Sequence, residues 1–346
     1  MNRINLPLHR GLLWKEWHSN RSMILAFLGL VLAAYPLSLI LRLNRAATLG
    51  SENVYPHIAD VLLRLRMSGG DGRITLLIVG VVVIFAARLI GEERKSRTIN
   101  FLLAMPFSRT QILVNKYIVG VATIVGTYLI SGILLAVIAS VNADALHEYI
   151  DLLTIAQWTG IQVVLLVTAF SFTLLFATLT GNSIACVVLT TIFSMFPAGF
   201  AALILMNLGN VLGWSGPYVG TVEQYLYMSS DISLFVYFGF ADRAFFLLRW
   251  PWLLLAGVAL FAVTLKIFGR NPMERNGELL MFTQLEPVLK AGVTVCTALL
   301  LAGIMSAPPV HRGSPDMVGL IARYLAGGVG GWLITHAAIS RSRTVR

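Results

Sequence analysis

The feature that most constrains this chain is a series of eight apolar stretches, near residues 22–41, 74–90, 117–141, 157–179, 184–206, 250–269, 288–306 and 317–339. Each is close to the ~20 helical residues needed to cross a ~30 Å hydrocarbon layer. Inside that layer the backbone must satisfy its own hydrogen bonds, so only helices or a closed barrel span it. A barrel would show ~10-residue alternating segments, and none is evident. The expected fold is therefore all-α and polytopic, with about eight transmembrane helices. Composition agrees: 57% of the 346 residues are hydrophobic and 12% charged, against roughly 25% charged in a soluble domain. The first run, Ser22–Leu41, has the length of a span and lacks a small-x-small cleavage site, which predicts a retained first helix. Cys186 and Cys296 both fall inside predicted spans, which argues against a disulfide framework.

The formal net charge of +10 follows from the Lys and Arg excess of cytoplasmic loops, so no nucleic-acid partner is inferred from it. With the N-terminus placed in the cytoplasm, inner segments hold 17 Lys and Arg, outer segments hold 8, and Arg323 lies within the last span. This bias predicts a multi-pass protein of the cell membrane with both termini cytoplasmic. One outer loop, residues 42–73, departs from the rule with five arginines, Arg42, Arg45, Arg64, Arg66 and Arg73. Within it, HIADVLLRLRM suits a helix lying on the outer interface. The later outer segment 207–249 carries Trp214, Tyr218, Tyr225, Tyr227, Phe235, Tyr237 and Phe238. Such aromatics suit an interfacial anchor or a re-entrant cap over a path, and the sequence leaves both open.

The inner link GEERKSRTINFLLAMPFSRTQILVNK, residues 91–116, is patterned throughout. Glu93 and Arg97 stand four apart with the acid first, the favourable order on a helix. The second span should therefore continue past the membrane as a charged stub. Thr98 offers a cap for a short helix over about 98–106. Ile99, Leu102, Leu103 and Pro106 would share one face of it, and Pro106 would end it. Ser108 with Gln111 then fits a capping box, with Phe107 and Ile112 placed as a hydrophobic staple. The link reads as an ordered elbow able to pass a push to both flanking spans.

These residues resemble a known family. Glu92, Glu93, Thr98, Phe101, Leu102, Leu103, Pro106, Ser108, Arg109, Ile112 and Lys116 look like the coupling segment of type-2 class ABC exporter permeases. In that family the segment follows the second span and docks into a cleft of the ATP-binding subunit. The resemblance thus implies ATPase-coupling roles for Glu92, Glu93, Arg97, Thr98, Phe101, Leu102, Leu103, Pro106, Ser108 and Arg109. Near the N-terminus, GLLWKEWHSNRS is similar to the interfacial elbow helix that precedes the first span there. Its Leu13, Trp14 and Trp17 share a face, and Lys15, Glu16 and His18 are polar. RNPMERNGELLMFTQLEPVLK starts with Asn271 as cap, Pro272 first in the helix and Glu274 third. It resembles a segment of antibiotic-responsive and acetoin-linked members, which add two spans to the usual six. The expected organisation is an elbow helix over 1–21, a six-span core over 22–269, a cytoplasmic link over 270–290 and two further spans over 288–346.

The chain has no G-x-x-x-x-G-K-[S/T] phosphate loop. ATP and Mg are therefore expected in a partner ATP-binding subunit, with no catalytic residue, metal or cofactor held by this chain. A second permease copy, or a related permease, and the lipid bilayer are the other partners the resemblance implies. None of the six histidines forms an H-E-x-x-H pair, and no G-x-S-x-G elbow is present. Gly327, Gly328, Gly330 and Gly331 suit close helix contact, either with the seventh span or with another subunit. Three functions stay open at this stage. The favoured one is a permease subunit exporting amphiphilic or hydrophobic cargo. A membrane sensor signalling to an ATPase is the second. An ion-coupled carrier is the third, and the scarcity of mid-membrane charge disfavours it.

Overall fold

Every one of the eight apolar runs is helical in a computed structural model that describes residues 9–50, 56–59, 61, 72–95, 107–147, 149–212, 224–225, 228–229, 233–239, 243–271, 275, 277–305 and 317–344. We number the long helices α1 (Arg10–Thr48), α2 (Gly72–Lys95), α3 (Arg109–Val141), α4 (Leu152–Leu179), α5 (Ser183–Leu212), α6 (Arg243–Gly269), α7 (Glu286–Met305) and α8 (Met317–Thr344). All eight are long and apolar enough to cross a membrane, and among the described residues no strand is present. The short helix expected over 98–106 lies outside the described residues. So do Trp214, Tyr218 and Tyr227, and the start signal at 271–274 apart from Asn271. Of the expected outer helix, residues 57–59 and 61 are described and are helical.

Helix α1 runs without interruption through the position where an elbow helix was expected to end. Nothing between His18 and Ser22 breaks it: the segment has neither Gly nor Pro, and Asn20 satisfies its side chain by donating to the Glu16 carbonyl. At 39 residues it is ~58 Å long, about twice the hydrocarbon thickness. Its one irregularity is a π turn at Ala33–Leu37 that contains Pro36. Pro36 has no N–H to donate. Ser38 Oγ lies 2.8 Å from the Ala34 carbonyl and 2.9 Å from that of Tyr35, supplying a side-chain donor there. Below, the foot of α1 is the Arg10 end and its head the Thr48 end.

The helices group into two units. In the first, α1 packs on α2 and α3, and α3 on α6. Small residues permit close approach, as expected for helices that have no hydrophobic drive in lipid. The Phe170 ring of α4 fills the space a Cβ would occupy at Gly120 of α3. Thr168 of α4 donates to the Leu253 carbonyl of α6 at 3.0 Å, opposite Gly257. Trp158 lies buried between Tyr35 and Tyr128, at ring-centroid distances of 4.7 and 5.5 Å.

In the second unit α7 packs on α8 and on α5. α5 belongs to this unit as well. Asn207 of α5 explains this in part. Its amide donates to the Leu299 carbonyl of α7 at 2.9 Å and its oxygen accepts from the Tyr324 hydroxyl of α8 at 2.7 Å. Gly327 and Gly331 of α8 face α7, where a Cβ on either would collide with Thr297. The loop before α7 pairs in extended fashion with the start of α5: Gly181 donates to Glu278 and Gly277 to Gly181, each at 3.0 Å, and Met281 to Leu179 at 2.8 Å. A Cβ on Gly181 would collide with the Glu278 backbone. Gly277, at φ 94°, takes a conformation that favours glycine. Arg275 holds this loop to the start of α7, reaching Glu278 at 2.5 Å and Glu286 at 3.2 Å.

Candidate functional site

The patterned link between α2 and α3 is where the sequence places function, and both of its anchored ends are described. Ser108 is the N-cap of α3. Its hydroxyl accepts from the Gln111 N–H at 3.1 Å, and the Gln111 side chain accepts from the Ser108 N–H at 2.9 Å. The capping box is therefore formed in full. The staple is larger than expected, because Phe107 packs on Ile112 together with Leu12 of α1. Replacing Ser108 by Ala should lower stability by about 1 kcal/mol, read as a small drop in melting temperature in detergent. Ser108→Asp, which keeps an acceptor, should restore it.

The first turns of α1 and α3 run alongside each other from this point. His9 sets its ring edge-on to Phe107 at 4.7 Å and donates its backbone N–H to Asn115 Oδ1 at 3.1 Å. Asn115, fully buried, also donates to the Gln111 carbonyl at 2.6 Å. It thus serves an orphan donor at the start of α1, where no local side chain does. One turn further on, the contact becomes ionic.

Four charges close a ring there. Lys116 of α3 reaches Glu16 of α1 and Glu93 of α2, both at 2.9 Å. Lys15 of α1 reaches Glu16 at 2.9 Å and also pairs with Glu93. Each lysine touches both carboxylates, and the four charges cancel. Lys116 and Glu16 are almost wholly buried, at 1% and 3% side-chain exposure, whereas Lys15 keeps 36%. Removing four charges from water is expensive, and pairing at best repays it. The ring's main effect is geometric: it fixes the feet of α1, α2 and α3 in one arrangement.

Two arginines extend this stitching. Arg94, the residue after Glu93, is buried and donates to the Ala177 carbonyl at the end of α4, at 2.8 Å. Arg109 donates to the Gly269 carbonyl, the last of α6, at 3.3 Å. Both serve helix C-terminal carbonyls, which lack partners in their own helices and carry negative partial charge.

The sequence-derived site residues thus divide. Glu93, Ser108, Arg109, Lys15 and Glu16 lie in the junction. Glu92 is exposed and pairs along its own helix with Arg88 at 3.3 Å. Arg97, Thr98, Phe101, Leu102, Leu103 and Pro106 lie outside the described residues, and with them the expected Glu93–Arg97 pair. Glu16, one of the polar residues of the N-terminal segment, is buried. Trp14 and Trp17 are exposed, and Trp14 stacks on His18 at 5.2 Å. Asn115 and Arg94 were not singled out beforehand. The available signal was their polarity next to an apolar span, where an unpartnered group would be costly.

Eight membrane-length helices among the described residues, with the ends flanking one short link locked together, define a polytopic membrane protein. The family described as ABC-2 family transporter protein matches residues 13–197, more than half of the chain, and the chain belongs to that family as a transmembrane subunit of an ABC transporter. It is similar to the probable ABC transporter permease YtrC of Bacillus subtilis (strain 168), with 27% identity over 288 residues, covering 80% of this chain and 83% of that protein. It is also similar to the probable ABC transporter permease YtrD of the same organism, with 24% identity over 339 residues, 95% of this chain and 97% of that protein. No solved structure gives a significant match.

Proposed function

We propose that this chain is the permease subunit of an ATP-driven exporter, and that a separate ATP-binding subunit drives it by pushing on residues 98–106. The observation that carries this reading is the ion-pair ring. The ring joins α2 and α3 at the two ends of that segment, and joins both to α1, so displacement of the segment would turn three spans together. ATP and Mg would sit in the partner, since the chain has no phosphate loop. A second permease copy or a related permease would complete the path, with both termini in the cytoplasm of the cell. The scarcity of charge in the spans favours amphiphilic or hydrophobic cargo.

Reconstitution with the ATP-binding subunit tests the reading. Leu102→Pro, in the middle of the segment expected from the sequence to be helical over 98–106, should abolish co-purification of the two subunits. Glu92→Gln, on the exposed side of α2, should leave them associated but weaken the permease's effect on ATP hydrolysis. Efflux of a fluorescent amphiphilic dye from vesicles should follow ATP and not an ion gradient. Full association and ATP-driven efflux in the Leu102→Pro protein would refute the proposed route.

A further inference from the structure

We propose that the head of α1 holds a binding site for a phosphate-type oxyanion, such as the headgroup of an anionic phospholipid or free phosphate. The apolar part of α1 starts at Ser22 and ends at Leu41. At 1.5 Å per residue, Arg42 stands ~30 Å along the axis from Ser22 and Arg45 about 35 Å. Both guanidiniums therefore fall where the phosphates of the far leaflet lie. A cavity of about 540 Å³ opens at this level, lined among the described residues by Ser38, Leu41, Arg42, Arg45, Pro56 and His57. Two arginines, Arg42 and Arg45, thus line one cavity together with the apolar residues Leu41 and Pro56.

Snorkelling of arginines from a helix end needs only water beside them. Here a second wall is built. Gly50, at φ 61°, ends the helix, and residues 56–59 form a helical turn against it, with Ile58 fully buried. Arg42 donates to the His57 carbonyl at 3.1 Å across the gap, which fixes its planar fork. Arg45 is exposed at the rim. Guanidinium pairs of this kind suit the two-oxygen geometry of phosphate. The C-terminal dipole of α1 favours the arginines themselves, so attraction for an anion comes from the guanidiniums alone. The same two residues help make the outer loop depart from the positive-inside pattern, and the permease reading gives them no task.

The test needs no ATPase and so stands apart from the transport proposal. The full chain in neutral detergent is titrated with a fluorescent short-chain phosphatidylglycerol, with inorganic phosphate and short-chain phosphatidylcholine as competitors. Binding is expected in the wild type. Arg42→Gln/Arg45→Gln should weaken it about 30-fold, at about fivefold per arginine. Arg21→Gln, at the foot of the same helix, should leave it unchanged. Leu41→Trp keeps both charges but fills the cavity, and should also weaken binding. Competition by inorganic phosphate would mark the site as one for the free anion. Competition by lipid alone would mark it as a headgroup site. Should the double variant fail to fold, Arg45→Gln alone gives the same readout at about fivefold. Binding unchanged in the arginine variants would overturn the proposal. So would binding lost in them but intact in Leu41→Trp, since that outcome describes a diffuse basic surface.

Discussion

Lys116→Met is expected to destabilise the protein by about 3–5 kcal/mol, the cost of leaving buried charge without its partner. The wild-type ring is neutral. The variant leaves Glu16 and Glu93 facing Lys15 alone, one positive charge against two negative. Lys15→Met should be far milder, about 1 kcal/mol or less. Lys15 keeps 36% of its side chain exposed, where water screens it, against 1% for Lys116. Adding Glu16→Gln to Lys116→Met restores charge balance, with Lys15 and Glu93 remaining. The double variant should therefore be more stable than Lys116→Met. Thermal unfolding in mild detergent provides the comparison. Equal effects at Lys15 and Lys116 would show that the ring is not a buried unit.

The second large effect is expected at the seam between α7 and α8. A Cβ on Gly327 would lie 2.6 Å from the Thr297 carbonyl oxygen and 2.8 Å from Ala298 Cα. Both are backbone atoms, so neither yields by changing rotamer. Gly327→Leu should push the helices apart at about 3 kcal/mol, the upper end of ordinary overpacking. Around Gly330, three residues on, the space a Cβ would take is open, with nothing within 4 Å. Gly330→Ala should leave stability unchanged or raise it slightly, since alanine favours helix. Limited proteolysis and melting temperature read both. Equal tolerance at the two positions would show that α8 does not pack on α7 through this stripe.

Much of the fold was legible because membrane length is a local property. A run of ~20 apolar residues specifies a helix wherever it packs, and each expected span lies within or almost wholly within one of the eight helices. The capping box was legible for the same reason, with donor and acceptor three residues apart. Contacts between distant segments were not. Glu16 and Lys116 are a hundred residues apart, and at the foot of α1 a glutamate that faces water and one that faces a lysine look alike. Nor did the sequence tell which neighbour α5 would choose. Asn207 was the clue: an amide inside a span must find partners, and its partners lie on α7 and α8.

The π turn at Ala33–Leu37 sets the phase of everything above it. In a straight α-helix each residue advances ~100°. The buried positions of the foot are Leu12, Glu16, Ile24, Phe27 and Val31. Continued at that step, their stripe would meet Ser38, Arg42 and Arg45. A π turn holds one extra residue and so rotates the upper segment by about one position. Leu39 and Ala46 then face the interior, and the two arginines swing off the core. A single inserted residue thus lets one rod carry a buried charge at one end and exposed charge at the other. Its two halves follow different helical clocks.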